Sequence, residues 1–83
     1  MKRIDINEQV NVTAFGFRKD LASYPKRIVY QGATYDFIDS GIRCIIRQSG
    51  AIAEVLTLTD GIADYLLKTD NRGFSWTLLG IVC

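Results

Sequence analysis

Apolar and polar residues alternate with a period of two along most of this chain, and isolated glycines at 32, 41, 50, 61 and 73 interrupt the alternation. Successive side chains of a strand point to opposite faces, so short alternating runs specify half-buried strands. Turn signals recurring every eight to twelve or so residues are the rhythm of an all-β barrel or sandwich. Residues 9–17 read as a first strand, with Val10, Val12 and Ala14 alternating and Gly16 marking a bulge or its end. Residues 18–24 read as a loop closed by Pro25, the only proline. Residues 26–31 form a second strand through Ile28, Val29 and Tyr30, and Gly32-Ala33 connects it tightly to a third over 34–39. In the next run Ile42, Cys44 and Ile46 face one way and Arg43, Ile45 and Arg47 the other. Residues 51–59 follow, with Glu54 in register with Ile52, Leu56 and Leu58, a charge that suggests a bulge or an edge there. Asp60-Gly61 is a hairpin dipeptide, 62–69 the next strand, residues 70–73 a turn, and residues 74–82 the last strand.

A helix over 60–68 is the competing reading, since Ile62, Tyr65 and Leu66 also fit helical spacing and Thr59 or Asp60 would cap it. The flanking turn signals favour strand. Six to seven short strands in 83 residues are too few for two large sheets. The expected fold is therefore all-β: a small antiparallel barrel or a strongly bent sheet. Residues 1–83 make a single β domain, with 1–8 polar and loose. The expected core draws on Val12, Ile28, Tyr35, Phe37, Ile42, Cys44, Ile46, Leu56, Leu58, Tyr65, Leu67, Trp76 and Leu78.

The chemistry available to such a chain is narrow. Histidine, the commonest general base and metal ligand, is absent. Cys44 and Cys83 alone do not make up a structural zinc site, which takes four protein ligands. Cys44 reads as a small buried hydrophobe in preference to a disulfide partner of Cys83 or a reactive thiol. No metal and no cofactor are expected, and a reducing cytoplasm is the simplest location. No apolar run approaches a secretory signal or the roughly 20 residues of a membrane helix. Without histidine, a nucleophile would need a lysine or carboxylate base. Asp36 and Asp39 point to opposite faces of a strand, and Asp60 and Asp64 flank a turn where acidic residues serve the backbone. The glycines never cluster into a phosphate-binding loop. The chain is not expected to be an enzyme.

Two binding classes remain. Small barrels hold single-stranded nucleic acid by stacking bases on aromatics beside basic residues, and Arg27, Arg43 and Arg47 with Tyr24, Tyr30 and Phe74 are the candidates here. Ten Lys and Arg against nine Asp and Glu leave a net charge of only +1, which argues against phosphate-dominated binding. Protein interaction is the leading class. Four Phe, four Tyr and one Trp exceed the needs of a thin core, and aromatics are favoured at interfaces. The doubly apolar end, Leu78-Leu79-Gly80-Ile81-Val82, would put Leu79 and Ile81 on the outer face as an edge for a homo-oligomer or partner protein.

The segment Tyr24-Pro25-Lys26-Arg27-Ile28-Val29-Tyr30-Gln31-Gly32-Ala33-Thr34-Tyr35, with Thr59-Asp60-Gly61 and Trp76-Thr77-Leu78 further on, resembles a group of small bacterial β-domain proteins of unknown function. Members share the proline, the basic residue, the aromatic strand and a Trp-x-Leu element, and the likeness spans about residues 24–82. They commonly carry arginine after the hairpin glycine, where this chain has Ala33. The resemblance implies a bacterial β domain and transfers no functional residue. A fainter similarity, in the spacing of Pro25-Lys26-Arg27-Ile28 and of residues 76–80, is to C-terminal domains of some error-prone DNA polymerase-like proteins; it implies a place near DNA processing. The expected function is a non-enzymatic interaction module or accessory subunit that binds another protein or itself, with single-stranded nucleic-acid binding as the alternative.

Overall fold

The period-two runs become strands. A computed structural model describes residues 2–17, 19, 23–39, 41–48, 50–70 and 75–83, with no helix among them. The strands are β1 (Arg3–Phe17), β2 (Ser23–Tyr30), β3 (Ala33–Asp36), β4 (Ile42–Gln48), β5 (Ala51–Thr59), β6 (Asp64–Asp70) and β7 (Trp76–Val82). All pair antiparallel in one seven-stranded sheet of order β3-β2-β1-β7-β6-β5-β4. The sheet does not close, because β3 and β4 end it without pairing to each other. It is a bent sheet rather than a barrel.

The bend runs through β1. Residues 3–10 of this strand pair with β7, and residues 11–17 pair with β2. The ladder slips between Asp5 and Glu8, where Asn7 takes a left-handed φ of 55°, and again on either side of Ala14. Each slip adds twist and turns the strand away from a flat course. Residues 3–8 therefore belong to a strand and are not the loose leader expected from their polarity: their backbone groups pair with β7 although their side chains are mostly exposed. Gly16 stays in the ladder opposite Tyr24 and does not form the bulge. The bend folds β2 and β3 over β5 and β6, so that Tyr35 and Phe37 each pack on Tyr65 with ring centroids 5.3 Å apart. Phe37 N–H donates to Lys26 O at 2.9 Å, one step beyond the β2–β3 ladder, and Ile38 N–H donates to Thr59 O at 3.0 Å, which ties the fold-over to the end of β5.

The core lies inside the fold-over. Ile28, Leu56, Leu58, Leu67 and Leu78 are fully buried, and Val10, Phe37, Ala63, Tyr65 and Trp76 nearly so. Val12 and Tyr35 pack against this cluster while half-buried. Burial of each large aliphatic side chain contributes about 1.5–3 kcal/mol. In a domain of this size, few such side chains separate folded from unfolded.

Local chemistry explains the turns. Gln31 and Gly32 both take positive φ (50° and 77°), as a two-residue hairpin of the primed kind requires, so the β2–β3 turn lies one residue earlier than Gly32-Ala33. Residues 60–68 resolve as loop then strand, not helix. Asp60 Oδ1 accepts the Ile62 and Ala63 amides at 2.9 Å each, Asp60 Oδ2 accepts the Tyr65 hydroxyl at 2.8 Å, and Thr59 Oγ1 accepts the Gly61 amide at 3.1 Å. These acceptors satisfy a loop that then releases the chain into β6, with Tyr65, Leu67 and Thr69 facing the core.

Three expected core residues are not in the core. Ile42, Cys44 and Ile46 are exposed, Ile42 by 73%. Directly paired residues share a face of the sheet. Arg43 pairs with buried Leu56, whereas Ile42, Cys44 and Ile46 pair with Thr57, Val55 and Ala53 on the outer face. The alternation in β4 is as read, but its inward set is the one carrying arginine. Cys44 is consequently no buried hydrophobe; it and Cys83 are free, exposed thiols with no disulfide between them.

Leu79 and Ile81 are also repositioned. β7 is the middle strand of the sheet, flanked by β1 and β6, so it offers no edge. Leu66 pairs with Gly80 and Leu67 with Leu78, which leaves Leu79 as the extra residue of a bulge. Beyond it the faces exchange: Ile81 pairs with buried Tyr65 and packs on the core.

Candidate interaction edge

Edge strands present unpaired N–H and C=O groups, and proteins normally blunt them with short length, charge or bulges. β3 has only four residues. The outer half of β1 carries Arg3, Asp5, Glu8 and Gln9 together with the kink at Asn7. β4 is different. It has seven residues in unbroken register with β5, from Ile42 opposite Thr57 to Gln48 opposite Ala51. Ile42, Cys44 and Ile46 stand exposed on its outer face and Ile45, 51% exposed, on the core-side face. The outer stripe continues over half-buried Ala53 and Val55 on β5.

Of the two charges on β4, one is engaged within the sheet. Arg43 Nε lies 3.1 Å from Glu54 Oε1, so that guanidinium is neutralised from within the sheet. Glu54 causes no bulge; it stays in register on the core-side face and takes its charge partner from the neighbouring edge strand. Arg47 lies further along the same face as Arg43. Gly41 enters β4 at a φ of 62°, with Asp39 Oδ1 accepting its amide at 2.8 Å. A groove of about 430 Å³ lies beside this entry, lined by Asp39, Gly41, Ile42, Thr57, Thr59 and Asp64. Its two carboxylates have no third ligand: no group of three His, Cys, Asp or Glu suited to a metal occurs among the described residues.

The proposed nucleic-acid residues are not assembled into one surface. Arg27 pairs with Asp36 across β2 and β3, which uses the charge of one and the carboxylate of the other. Arg27 and Tyr30 lie three residues apart on β2 and so face opposite sides. Tyr30 donates its hydroxyl to Glu8 Oε2 at 2.8 Å, and that bond, ahead of burial, raises the phenol pKa above its ordinary value. In sheet order four strands separate β2 from β4, which carries Arg43 and Arg47. Tyr24 is half-buried against the core. Phe74 and the turn over 71–73 lie outside the described residues.

Of the four carboxylates considered for catalysis, Asp36, Asp39 and Asp60 are engaged in structure, and Asp64 lines the groove beside Gly41. Asp36 holds Arg27, and Asp60 holds the β5–β6 loop. The Ala63 amide, followed by smaller contributions from Ile62 and Tyr65, keeps the Asp60 carboxyl below its ordinary range against an opposing effect of burial. Tyr65 is raised, first by burial and then by its bond to Asp60. A second groove of about 410 Å³ is lined by Val10, Val12, Phe15, Ser75 and Trp76 with Gln9 and Asn11. Buried Trp76 Nε1–H has no acceptor among the described residues.

Sequence reading sets Ile45 apart from the core with Arg43 and Arg47, and it is exposed although its face is the core-side one; Ile42 and Ile46, read as inward, are on the outer face. The available signal was Glu54: an acidic residue on a core-facing register calls for a basic partner on the same face of an adjacent strand, and Arg43 and Arg47 on the preceding strand were the candidates. Comparison with protein-family models, with curated proteins and with solved structures found no match to this chain.

Proposed function

We propose that this chain is a non-enzymatic interaction module that docks a protein strand along β4. The observation that carries this reading is a seven-residue edge in clean register whose Ile42, Cys44 and Ile46 lie exposed in one row. An incoming strand would gain main-chain hydrogen bonds from the edge and side-chain specificity from alternate residues. This replaces Leu79 and Ile81 as the association surface. No helix among the described residues is long and apolar enough to cross a membrane. A reducing cytoplasmic setting is part of the proposal, supported by the two free thiols.

Nucleic-acid binding has weaker support, because Arg27 and Arg43 are both ion-paired and Tyr30 faces away from Arg27. Site-specific photocrosslinking in cells that express the chain tests the docking reading. A photoreactive residue at 42, 45 or 46 should give protein adducts, whereas one at Ile62, a loop residue 91% exposed, should not. Equal labelling at all four positions, or none, would refute it. Titration with a labelled oligonucleotide at low salt checks the alternative, which requires saturable binding with a steep salt slope.

A further inference from the structure

Resting on the docking reading, we infer that the occupant of the β4 edge is a second copy of this chain, paired antiparallel about a twofold axis at Cys44. A twofold axis perpendicular to the sheet joins two identical edges so that residues opposite one another share a face, and one residue of each strand faces its own copy across the axis. Few registers are then available to the strand Ile42-Arg43-Cys44-Ile45-Ile46-Arg47. An axis at Arg43 sets Arg43 against its own copy. An axis at Ile45 sets Arg43 against Arg47 twice. Like charges directly opposite are destabilising, so both are disfavoured. An axis at Ile46 leaves Ile42 beyond the paired residues.

The axis at Cys44 has none of these faults. It sets Ile42 of each copy against Ile46 of the other, Cys44 against Cys44, and Arg43 against Ile45. The exposed outer row reads Ile-Cys-Ile in both directions, so it is self-complementary. On the other face the Arg43 stem lies along Ile45 while its guanidinium keeps Glu54 of its own chain. A net charge of +1 produces little repulsion between copies. One strand pair is a small interface, near or below about 1,200 Å², which is the range of exchanging rather than permanent association.

The experiment uses the full chain with Cys83→Ser, so that Cys44 is the sole thiol. Sedimentation from about 1 to 500 μM should show a reversible monomer–dimer equilibrium. Diamide, which takes up the two thiol hydrogens as the S–S bond forms, should convert the dimer to a covalent one through Cys44. Moving the thiol one place, with Ile45→Cys in a Cys44→Ser, Cys83→Ser chain, should lower the covalent yield about tenfold, because Cα atoms beyond about 7 Å are not bridged. Ile46→Lys should weaken dimerisation at least about tenfold with an unchanged circular dichroism spectrum, since the residue is exposed. A monomer throughout the range, or Ile45→Cys crosslinking as well as Cys44, overturns the inference. If the monomer result coincides with photo-adducts to a different protein at position 46, only the identity of the occupant is wrong. If photo-adducts are missing too, the docking reading falls with it.

Discussion

Arg43 on the edge strand β4 and Glu54 on its neighbour β5 form an ion pair, 3.1 Å from Nε to Oε1, on the face of the sheet that carries the core. The pair lets an acidic residue occupy a core-facing register without a bulge. It also engages one of the two arginine charges on the edge, leaving Arg47 as the other. Both side chains keep contact with solvent, at 37% and 26% exposure, so the pair contributes modestly. Glu54→Gln should lower stability by less than about 1 kcal/mol at low salt, and the difference should shrink at high salt. Urea unfolding of both proteins at low and high ionic strength measures this; a loss above about 3 kcal/mol would mean that the pair behaves as a buried one.

The Asp60 loop should make stability acid-sensitive. The carboxyl pKa lies below its ordinary value of 3.8, chiefly through the Ala63 amide. A group depressed in the folded state contributes stability that is whole above the unfolded value and is lost as pH falls through the folded one. Asp60→Ala should cost about 1–2 kcal/mol at neutral pH through the lost loop acceptors. The gap between the two proteins should stay constant down to about pH 5 and narrow in stronger acid. A gap that widens on acidification would contradict the assignment, and thermal midpoints from pH 7 to pH 2 decide it.

Trp76 should tolerate loss of its indole nitrogen better than loss of its ring. The ring is buried, while its N–H has no acceptor among the described residues. Trp76→Phe discards an unsatisfied donor, which offsets part of the lost packing, and should shift stability by about 1 kcal/mol or less. Trp76→Ala leaves a cavity and should cost about 3–5 kcal/mol. Chemical denaturation of the two variants is the measurement, and equal losses would show that the nitrogen is hydrogen-bonded in solution.

Gly41 should be intolerant of any side chain. Its φ is 62°, and a Cβ there would collide with the Thr57 carbonyl oxygen and crowd Leu58. Gly41→Ala should therefore destabilise by more than the roughly 1 kcal/mol of an ordinary left-handed position, and should loosen β4 first. Hydrogen exchange resolved by residue checks this: amides of β4 should lose protection before those of β6.

Particular elements show how far a sequence of this kind can be read. Tyr65 and Leu67 are expected in the core, and they are buried, because β6 is covered by the fold-over on one face and alternation there has a single solution. Two other strands, one at the edge and one at the centre, gave way. In β4 both alternating sets contain isoleucine, so hydrophobicity favoured neither, and the presence of arginine in one set pointed the wrong way. In β7 the parity of Trp76 and Leu78 was extended to Ile81, but the bulge at Leu79 reverses it. A bulge leaves no composition signature when the extra residue is another leucine.

By itself the sequence determined the class of fold and most of the interior. A two-residue period, broken by glycines able to take left-handed turns, permits only short antiparallel strands, and the largest aliphatic residues of those strands must leave water. The tertiary structure alone decided which strands end the sheet, which face of β4 looks inward and where Ile81 points. Those outcomes depend on the order in which strands pair and on single-residue slips in register, interactions between segments far apart in the chain that no local pattern encodes.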